Sequence, residues 1–518
     1  MMNDFPSISI LVLNYNSMDH LPANLASLMA LDYPADRLEI IVVDNASSDD
    51  SVAWVEANYL AVRVVPTGGN LGFAGGNNVG AEAAAGEWLA ILNPDMRVAT
   101  NWLRELVRPL STDPTIAAVA SKVLSWDGTH IDFADAAINF MGWGCQPGYR
   151  SKHLERYNEG KPLIFANGGA MLVRRQTFLD AGGFDPDYFA YYEDVDLGWR
   201  LWLQGHQVVF APQAVAYHRH HGSWGEVADA KKWLLAERNT LLTLIKNYDD
   251  DALMHVLPAA LLLVLQRAYL DICPDPALYG GGGIEAAKTA VYGPGYYWRQ
   301  FRQMVQHREF AELWRRMWDE GGRRWEKRPF ATAAAQTAPA YRRPVNGQYQ
   351  APPVAMARLL IAQDVLAMWD GLLQKRAQVQ AGRRRADREI FPLFQWALIS
   401  NFGDEVFIQA MNRVVQRFGL EAVFLTQRRS DADTRPGLET QALSLGVSRK
   451  LLELMRDLFI KSGAPASYFR LGQAGPPEMV ATPERVVARL AEMNKLLWSL
   501  PQAPLPELLV WLEEQMKG

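Results

Sequence analysis

Ile8-Ser9-Ile10-Leu11-Val12-Leu13-Asn14-Tyr15-Asn16 decides the fold. A short run of β-branched and aliphatic residues predicts a buried strand. It stops abruptly at Asn14-Tyr15-Asn16-Ser17, which carries turn and helix-capping chemistry. An amphipathic helix should follow, with Leu21, Leu25, Leu28 and Met29 on one face. The same unit then recurs. Residues 38–43 read as a second buried strand, closed by Asp44-Asn45-Ala46-Ser47-Ser48-Asp49, and Ser47 or Ser48 can cap a helix bearing Val52, Val55 and Tyr59. Residues 62–65 form a third strand, and residues 88–92 a fourth that ends in Asn93-Pro94-Asp95. Strands alternating with helices predict a parallel α/β sheet. Ligands of such sheets sit beyond the carboxyl ends of the strands. The polar clusters Asn14-Tyr15-Asn16, Asp44-Asn45 and Asn93-Pro94-Asp95 all fall there. Each alone could be a turn; three at equivalent strand ends point to a site.

Between the third and fourth strands lies Gly68-Gly69-Asn70-Leu71-Gly72-Phe73-Ala74-Gly75-Gly76-Asn77-Asn78-Val79-Gly80. Its spacing is not a dinucleotide fingerprint, and it lacks the lysine of a phosphate-binding P-loop. It reads as a loop ahead of a helix at 81–85, rich in backbone that a ligand can approach and in uncharged donors and acceptors. Further on, Phe165-Ala166-Asn167-Gly168-Gly169-Ala170-Met171-Leu172-Val173 reads as a strand entered through a Gly-Gly bend, and Gly182-Gly183-Phe184-Asp185 as a turn. That turn leads to Phe189-Ala190-Tyr191-Tyr192-Glu193-Asp194-Val195-Asp196-Leu197-Gly198-Trp199-Arg200. Carboxylates hemmed in by aromatics have raised pKa values suited to proton transfer near neutrality; the plainer reading is a helix start with acids facing its dipole. A short strand at 207–210 precedes His218, His220 and His221, three of the nine histidines. A surface cluster is the plainer reading, but a metal-ligand role is favoured because Asp95 otherwise lacks partners for a divalent ion.

The chain has 518 residues, 49% of them hydrophobic and 21% charged, ample for several packed domains. Its net charge of -5 does not suggest a nucleic-acid partner. With only Cys145 and Cys273, no disulfide framework is expected, which fits a reducing, cytoplasmic compartment. The start lacks a basic signal region, and the apolar stretch 252–265 is too short to span a bilayer. After about residue 228 the pattern turns helical, with Trp233, Leu234, Leu241, Leu242, Leu244 and Ile245 marking a long helix. Residues 299–328 are basic with interleaved tryptophans, a makeup that suits an anionic lipid surface, although a solvated helix is the plainer reading. Residues 329–353 read as a Pro/Ala linker, 356–373 as a helix, 383–385 as a basic run and 391–518 as mainly helical.

These ordered motifs resemble the inverting family 2 glycosyltransferases of the GT-A fold, in the rhamnosyltransferase-like branch. The resemblance covers roughly residues 7–225 and runs from Asn14-Tyr15-Asn16 through Val43-Asp44-Asn45, Asn70 to Asn78, Asn93-Pro94-Asp95 and Gly168-Gly169 to Glu193-Asp194-Val195-Asp196 and the downstream histidine. It implies a GT-A domain (1–228) with a Rossmann-like mixed sheet; beyond it the sequence pattern itself reads as a helical extension and linker (229–355) and an α-helical C-terminal domain (356–518). Leu13, Asn14, Tyr15 and Asp44 would hold the base and ribose, and Asn77 would lie in a loop closing over the nucleotide. Asn70, Asn93, Asp95, Gly168, Gly169 and Glu193 complete the implied substrate-binding set. Asp95 and His218 would bind Mg or Mn, with His220 and His221 as rival registers for the histidine and Asn93 standing where the family's metal motif has its first acid. Asp194 matches the catalytic base; Glu193 and Asp196 are weaker candidates, and Asp196 could instead orient its helix.

The resemblance implies transfer of a sugar from dTDP-rhamnose or a UDP-sugar to a hydroxyl of a glycan or lipid-linked acceptor, at or near the inner face of a membrane, with peripheral membrane contact and oligomeric state left open. Two rival readings fit the sequence less well. A nucleotidyltransferase would need a basic Gly-rich loop near the first strand, and Asn14-Tyr15-Asn16 does not supply one. A catalytically silent glycan-binding or scaffold protein, acting through its helical half, is opposed by the intact Glu193-Asp194 pair.

Overall fold

The structure, a computed structural model, describes residues 5–219, 229–272, 346–400, 405–425, 438–464, 466 and 480–517. Two compact units result. One comprises Met1–Ala137, Gly144–Glu226 and Gln378–Ala386; the other comprises Ile138–Trp143, Val227–Ala377 and Asp387–Gly518.

The first unit carries β1 (Ile8–Asn14), α1 (Leu21–Met29), β2 (Leu38–Asp44), α2 (Ser51–Asn58), β3 (Arg63–Pro66), α3 (Gly72–Ala83), β4 (Trp88–Leu92), β5 (Met96–Val98) and α4 (Trp102–Val107). There follow β6 (Ile116–Ser125), β7 (Ile131–Phe133), the two-residue strands β8 (Ala137–Ile138, of which Ile138 is counted with the second unit) and β9 (Gly144–Cys145), β10 (Ala170–Arg174), α5 (Arg175–Asp180), α6 (Glu193–Leu203) and β11 (Gln207–His218). The main sheet has nine strands, ordered β3-β2-β1-β4-β10-β6-β11-β5, with β7 on β6. It is mixed: β3, β2, β1 and β4 run parallel, whereas β10 is antiparallel to both β4 and β6. The expected Rossmann-like mixed sheet is present. β1 and β4 are almost wholly buried, as their continuous apolar runs require of strands covered on both faces. Asn14 pairs with Asp44, and Val12 with Leu92, so the chain segments leaving β1, β2 and β4 emerge side by side. Strand order reverses between β1 and β4, the place where open α/β sheets bind ligands.

Three local expectations need correction. Met29 is 47% exposed while Leu21, Leu25 and Leu28 are buried, so the buried stripe of α1 is narrower than predicted. β11 runs on to His218 instead of stopping near residue 210, because a register shift between Ala211 and Val215 absorbs Pro212. The Gly/Asn stretch is helix, not loop: α3 begins at Gly72. A Cβ on Gly76 would stand 2.3 Å from Leu13 Cδ1, and one on Gly80 2.7 Å from Val43 Cγ2. Four residues apart, these glycines share a helix face. They let α3 lie close on β1 and β2, which offsets a helix-propensity cost of about 1 kcal/mol each.

Residues Gln378–Ala386 belong to the first unit and explain the basic run. Arg385 donates to the carbonyls of His206 at 2.6 Å and Gly205 at 2.9 Å, and its guanidinium lies 4.9 Å from the Trp202 ring centre. It satisfies carbonyls just past the C-terminus of α6, where a helix leaves acceptors unpaired and favours positive charge.

The second unit is helical, as expected. α7 (Asp229–Asn247) and α8 (Asp250–Ile272) are joined by helices Pro353–Ala367, Glu405–Arg417, Leu438–Ser462, Glu484–Ser499 and Leu505–Gln515. A ribbon of β12 (Gln348–Ala351) and β13 (Val480–Pro483) replaces the end of the expected linker. α8 is longer than the apolar stretch 252–265 suggested and, at 23 residues, is long and apolar enough to cross a membrane by length and composition, yet 89% of its apolar window is buried. Helices Leu438–Ser462, Pro353–Ala367, Glu484–Ser499 and Glu405–Arg417 surround it. A helix apolar on all sides is satisfied as the core of such a bundle. Its Arg267 and the buried Arg358 both meet the buried Glu237. The tryptophan-rich segment 299–328, His220 and His221 lie outside the described residues.

Candidate active site

The ends of β1 and β2 are cross-linked. Asn14 is fully buried, and its Nδ2 donates to Ser51 Oγ at 2.8 Å and Ser47 Oγ at 3.0 Å, with Asp44 Oδ1 at 3.3 Å. Asp44 Oδ1 also accepts the Ser47 N–H at 3.2 Å. Asn16, at φ 51°, accepts the N–H of Ser48 at 2.7 Å. Asn14 thus braces the loop that presents Asp44, while Tyr15 stays half-exposed. The half-buried Leu13 lies beneath α3, against Gly76.

Asn45, read with Asp44 as a polar strand end, holds the start of α3. Its Oδ1 accepts the Leu71 N–H at 2.8 Å and its Nδ2 donates to Asn70 Oδ1 at 3.0 Å. Asn70 Oδ1 also accepts the Gly72 N–H at 2.9 Å, and the Ala74 N–H donates to the Phe189 carbonyl at 3.1 Å. These first-turn donors are therefore taken by protein, with Asn70 Oδ1 among the acceptors. Asn77 lies inside α3, buried, with Nδ2 donating to the Phe73 carbonyl at 2.9 Å. It is not in a loop that closes over a ligand. Asn78 clamps Phe184 at both its N–H (2.9 Å) and its carbonyl (2.7 Å).

Residues 189–192 turn sharply. Phe189, Tyr191 and Tyr192 have φ values of 61°, 70° and 69°, a region that side chains rarely adopt. Such strain persists where packing over-determines it, and it gathers at functional sites. Gly72 supplies the packing: a Cβ there would stand 2.3 Å from the Phe189 carbonyl. The turn delivers Glu193 and Asp194 into the first turn of α6. Gly168 N–H donates to Asp194 Oδ2 at 2.9 Å, and Val195 N–H to Oδ1 at 2.8 Å. Burial raises the Asp194 pKa, and those N–H groups offset part of the rise. Glu193 is 6% exposed, and its Oε2 is buried without a hydrogen-bond partner. Burial first, then the Asp194 charge, push its pKa well above the usual range. Asp196 is structural. It is fully buried and accepts from Arg200 Nε at 2.8 Å, and Arg200 also donates to the carbonyls of Ala181 and Gly183.

Asp95 leaves β4 through a pinned turn. Asn24 Nδ2 donates to the carbonyls of Asn93 at 3.0 Å and Met96 at 2.8 Å, and the Asn93 N–H donates to the Gly169 carbonyl at 2.8 Å. A Cβ on Gly169 would stand 2.8 Å from Met96 Cε and 3.0 Å from Asn93 Nδ2, so this glycine is needed for packing. Asp95 Oδ2 lies 3.1 Å from His218 Nε2. On the other edge of the ring, Asp132 Oδ2 lies 2.6 Å from Nδ1. Burial works against a charge on His218, but the two carboxylates prevail and lift its pKa to about 9. Asp132, a lone acid between apolar residues in β7, escaped sequence reasoning.

A mixed α/β sheet with an Asp-His pair at its strand ends, and a strained aromatic turn that feeds a buried carboxylate into a helix start, fits a nucleotide-sugar glycosyltransferase of the GT-A type. Residues 9–182 match the model of Glycosyl transferase family 2. Over 242 residues the chain is 31% identical to an N-acetylglucosaminyl-diphospho-decaprenol L-rhamnosyltransferase of Mycobacterium tuberculosis, covering 42% of this chain and 77% of that protein. It is 26% identical over 199 residues to a low-salt glycan biosynthesis hexosyltransferase of Haloferax volcanii, covering 37% of this chain and 61% of that one. The crystal structure of GalNAc-T7 with UDP, GalNAc and Mn2+ is 18% identical with a TM-score of 0.42, covering 50% of this chain and 51% of that one. The chain belongs to glycosyltransferase family 2.

Proposed function

We propose that the protein transfers a sugar, with inversion, from dTDP-rhamnose or a UDP-sugar to a hydroxyl of a glycan or lipid-linked acceptor on the cytoplasmic side of a membrane. The similarity to an L-rhamnosyltransferase named for a diphospho-decaprenol acceptor supports rhamnose as the sugar and a lipid-linked acceptor. The observation that carries the chemistry is the Asp194 carboxylate, held by the Gly168 N–H at 2.9 Å and made more basic by burial. An acceptor hydroxyl attacks the anomeric carbon, the bond to the diphosphate oxygen breaks on the opposite face, and Asp194 takes the hydroxyl proton. Burial and the adjacent Asp194 charge favour the neutral form of Glu193, which limits the negative charge beside the base. Asp44 and the neighbouring chain at Leu13–Tyr15 meet the nucleoside, where Asn14 braces the loop.

Asp95 and His218 offer one oxygen and one nitrogen to Mg or Mn, and among the described residues no group of three acidic, histidine or cysteine side chains encloses an ion. That suits a half-site completed by donor phosphates, since magnesium-type ions take one or two carboxylates plus substrate oxygens. When bound, the ion stabilises the charge on the leaving diphosphate.

Calorimetric titration of a nucleoside-diphosphate panel, with and without Mn2+, on wild type and Asp95→Ala tests this reading. Binding of dTDP or UDP that needs both Mn2+ and Asp95 is the expected result. A panel in which nothing binds would favour the scaffold reading.

A further inference from the structure

Building on the Asp95–His218 reading, we infer that Asp132 is the positioning residue of the metal half-site. Its carboxylate takes the Nδ1–H of His218 and so turns Nε2 toward Asp95. The distances are 2.6 Å on the Nδ1 edge and 3.1 Å on the Nε2 edge, so the shorter contact is the one with Asp132. The two nitrogens face different ways, and the described residues hold no three-ligand cluster, so Asp132 cannot share an ion with Asp95. It acts through the histidine.

The fold shows why such a residue is needed. His218 is the last residue of β11, and its backbone is locked beside Met96 of β5, next to Asp95. That pairing fixes the Cα, but the ring still has two side-chain torsions. Asp132 comes from β7, which pairs with β6 across a register irregularity between Val123 and Leu124. Irregularities of this kind re-aim side chains. Asp132 is 7% exposed, and a carboxylate so buried requires a partner. The composition of the site adds weight. With Asn93 where an acid would stand, the described residues bring Asp95 and His218 together there, and a misdirected ring would forfeit one of these two donors. Histidine ligands are commonly held in this way by a carboxylate on the second nitrogen.

Mn2+ binding to the full-length protein, followed by loss of the free-ion EPR signal with and without UDP and dTDP, tests the inference. Asp132→Asn should weaken Mn2+ roughly 10- to 100-fold, while nucleotide binding in EDTA stays unchanged. Asp132→Glu, which keeps the charge and guards against a variant that does not fold, should lose less. In a double-mutant cycle, Asp132→Asn should add little once His218→Ala is present, because it acts only through the ring. Unchanged Mn2+ affinity in both Asp132 variants, or losses that add fully to that of His218→Ala, would overturn the inference alone. A wild type that binds no Mn2+ under any of these conditions would overturn the metal reading and this inference with it.

Discussion

The backbone N–H of Gly168 donates to Asp194 Oδ2 at 2.9 Å, tying the carboxylate of one helix to the entry of a strand far from it in sequence. Asparagine can accept the same N–H through its own Oδ1. Asp194→Asn should therefore keep the scaffold and its nucleotide affinity while losing the proton acceptor. Transfer should fall roughly 10²- to 10⁴-fold, the usual contribution of a general base. Rates measured alongside nucleotide Kd decide it, and retained turnover removes Asp194 from the role.

Glu193 and Asp194 both have raised pKa values, by burial first and, for Glu193, by the adjacent Asp194 charge next. The folded state thus favours their protonated forms. That stabilisation is complete below the ordinary carboxylate range and is lost as pH rises through the raised values. Glutamine cannot ionise, so the Tm of Glu193→Gln should fall less than that of wild type from mildly acidic to alkaline pH. Parallel curves would show that Glu193 titrates as an exposed glutamate does.

Asp196→Ala leaves Arg200 with a buried, unpaired charge, since the two side chains are 0% and 6% exposed. Loss of one partner of such a pair costs about 3–5 kcal/mol. Denaturant unfolding should register that loss. A stable variant that is merely inactive would instead point to contact with substrate.

Gly80→Ala should cost about 1–3 kcal/mol by overpacking α3 against the sheet, because its Cβ would stand 2.7 Å from Val43 Cγ2. The spacing of Gly76 and Gly80 predicts a similar loss for Gly76→Ala, softened where Leu13 can change rotamer. Unfolding midpoints check both. A loss of nucleotide affinity without a loss of stability would restore the ligand-facing reading of these glycines.

A truncation after residue 228 would remove Arg385, and with it the side chain that satisfies the carbonyls of Gly205 and His206 behind α6. No local sequence pattern announces this, because the basic run at 383–385 looks like a solvated surface until its carbonyl partners are seen.

The sequence by itself determined the alternating α/β order, the polar strand ends at Asn14, Asp44 and Asn93–Asp95, the carboxylates at the start of α6 and the helical second half. Those features follow from local periodicity and residue chemistry, which neighbouring residues carry. Tertiary structure alone decided the rest. Gly72, Gly76 and Gly80 repeat every four residues, a helical spacing open to reading, yet glycine's poor helix propensity hides a helix unless the strands it must approach are known. Asn70 receives the amide of Asn45 from the end of β2, 25 positions away, and no local pattern announces that contact. Asp132 and His218 are 86 positions apart, and only the pairing of β5, β11, β6 and β7 brings them together. Contacts over such separations depend on how whole strands order in the sheet, and no local stretch of sequence encodes that.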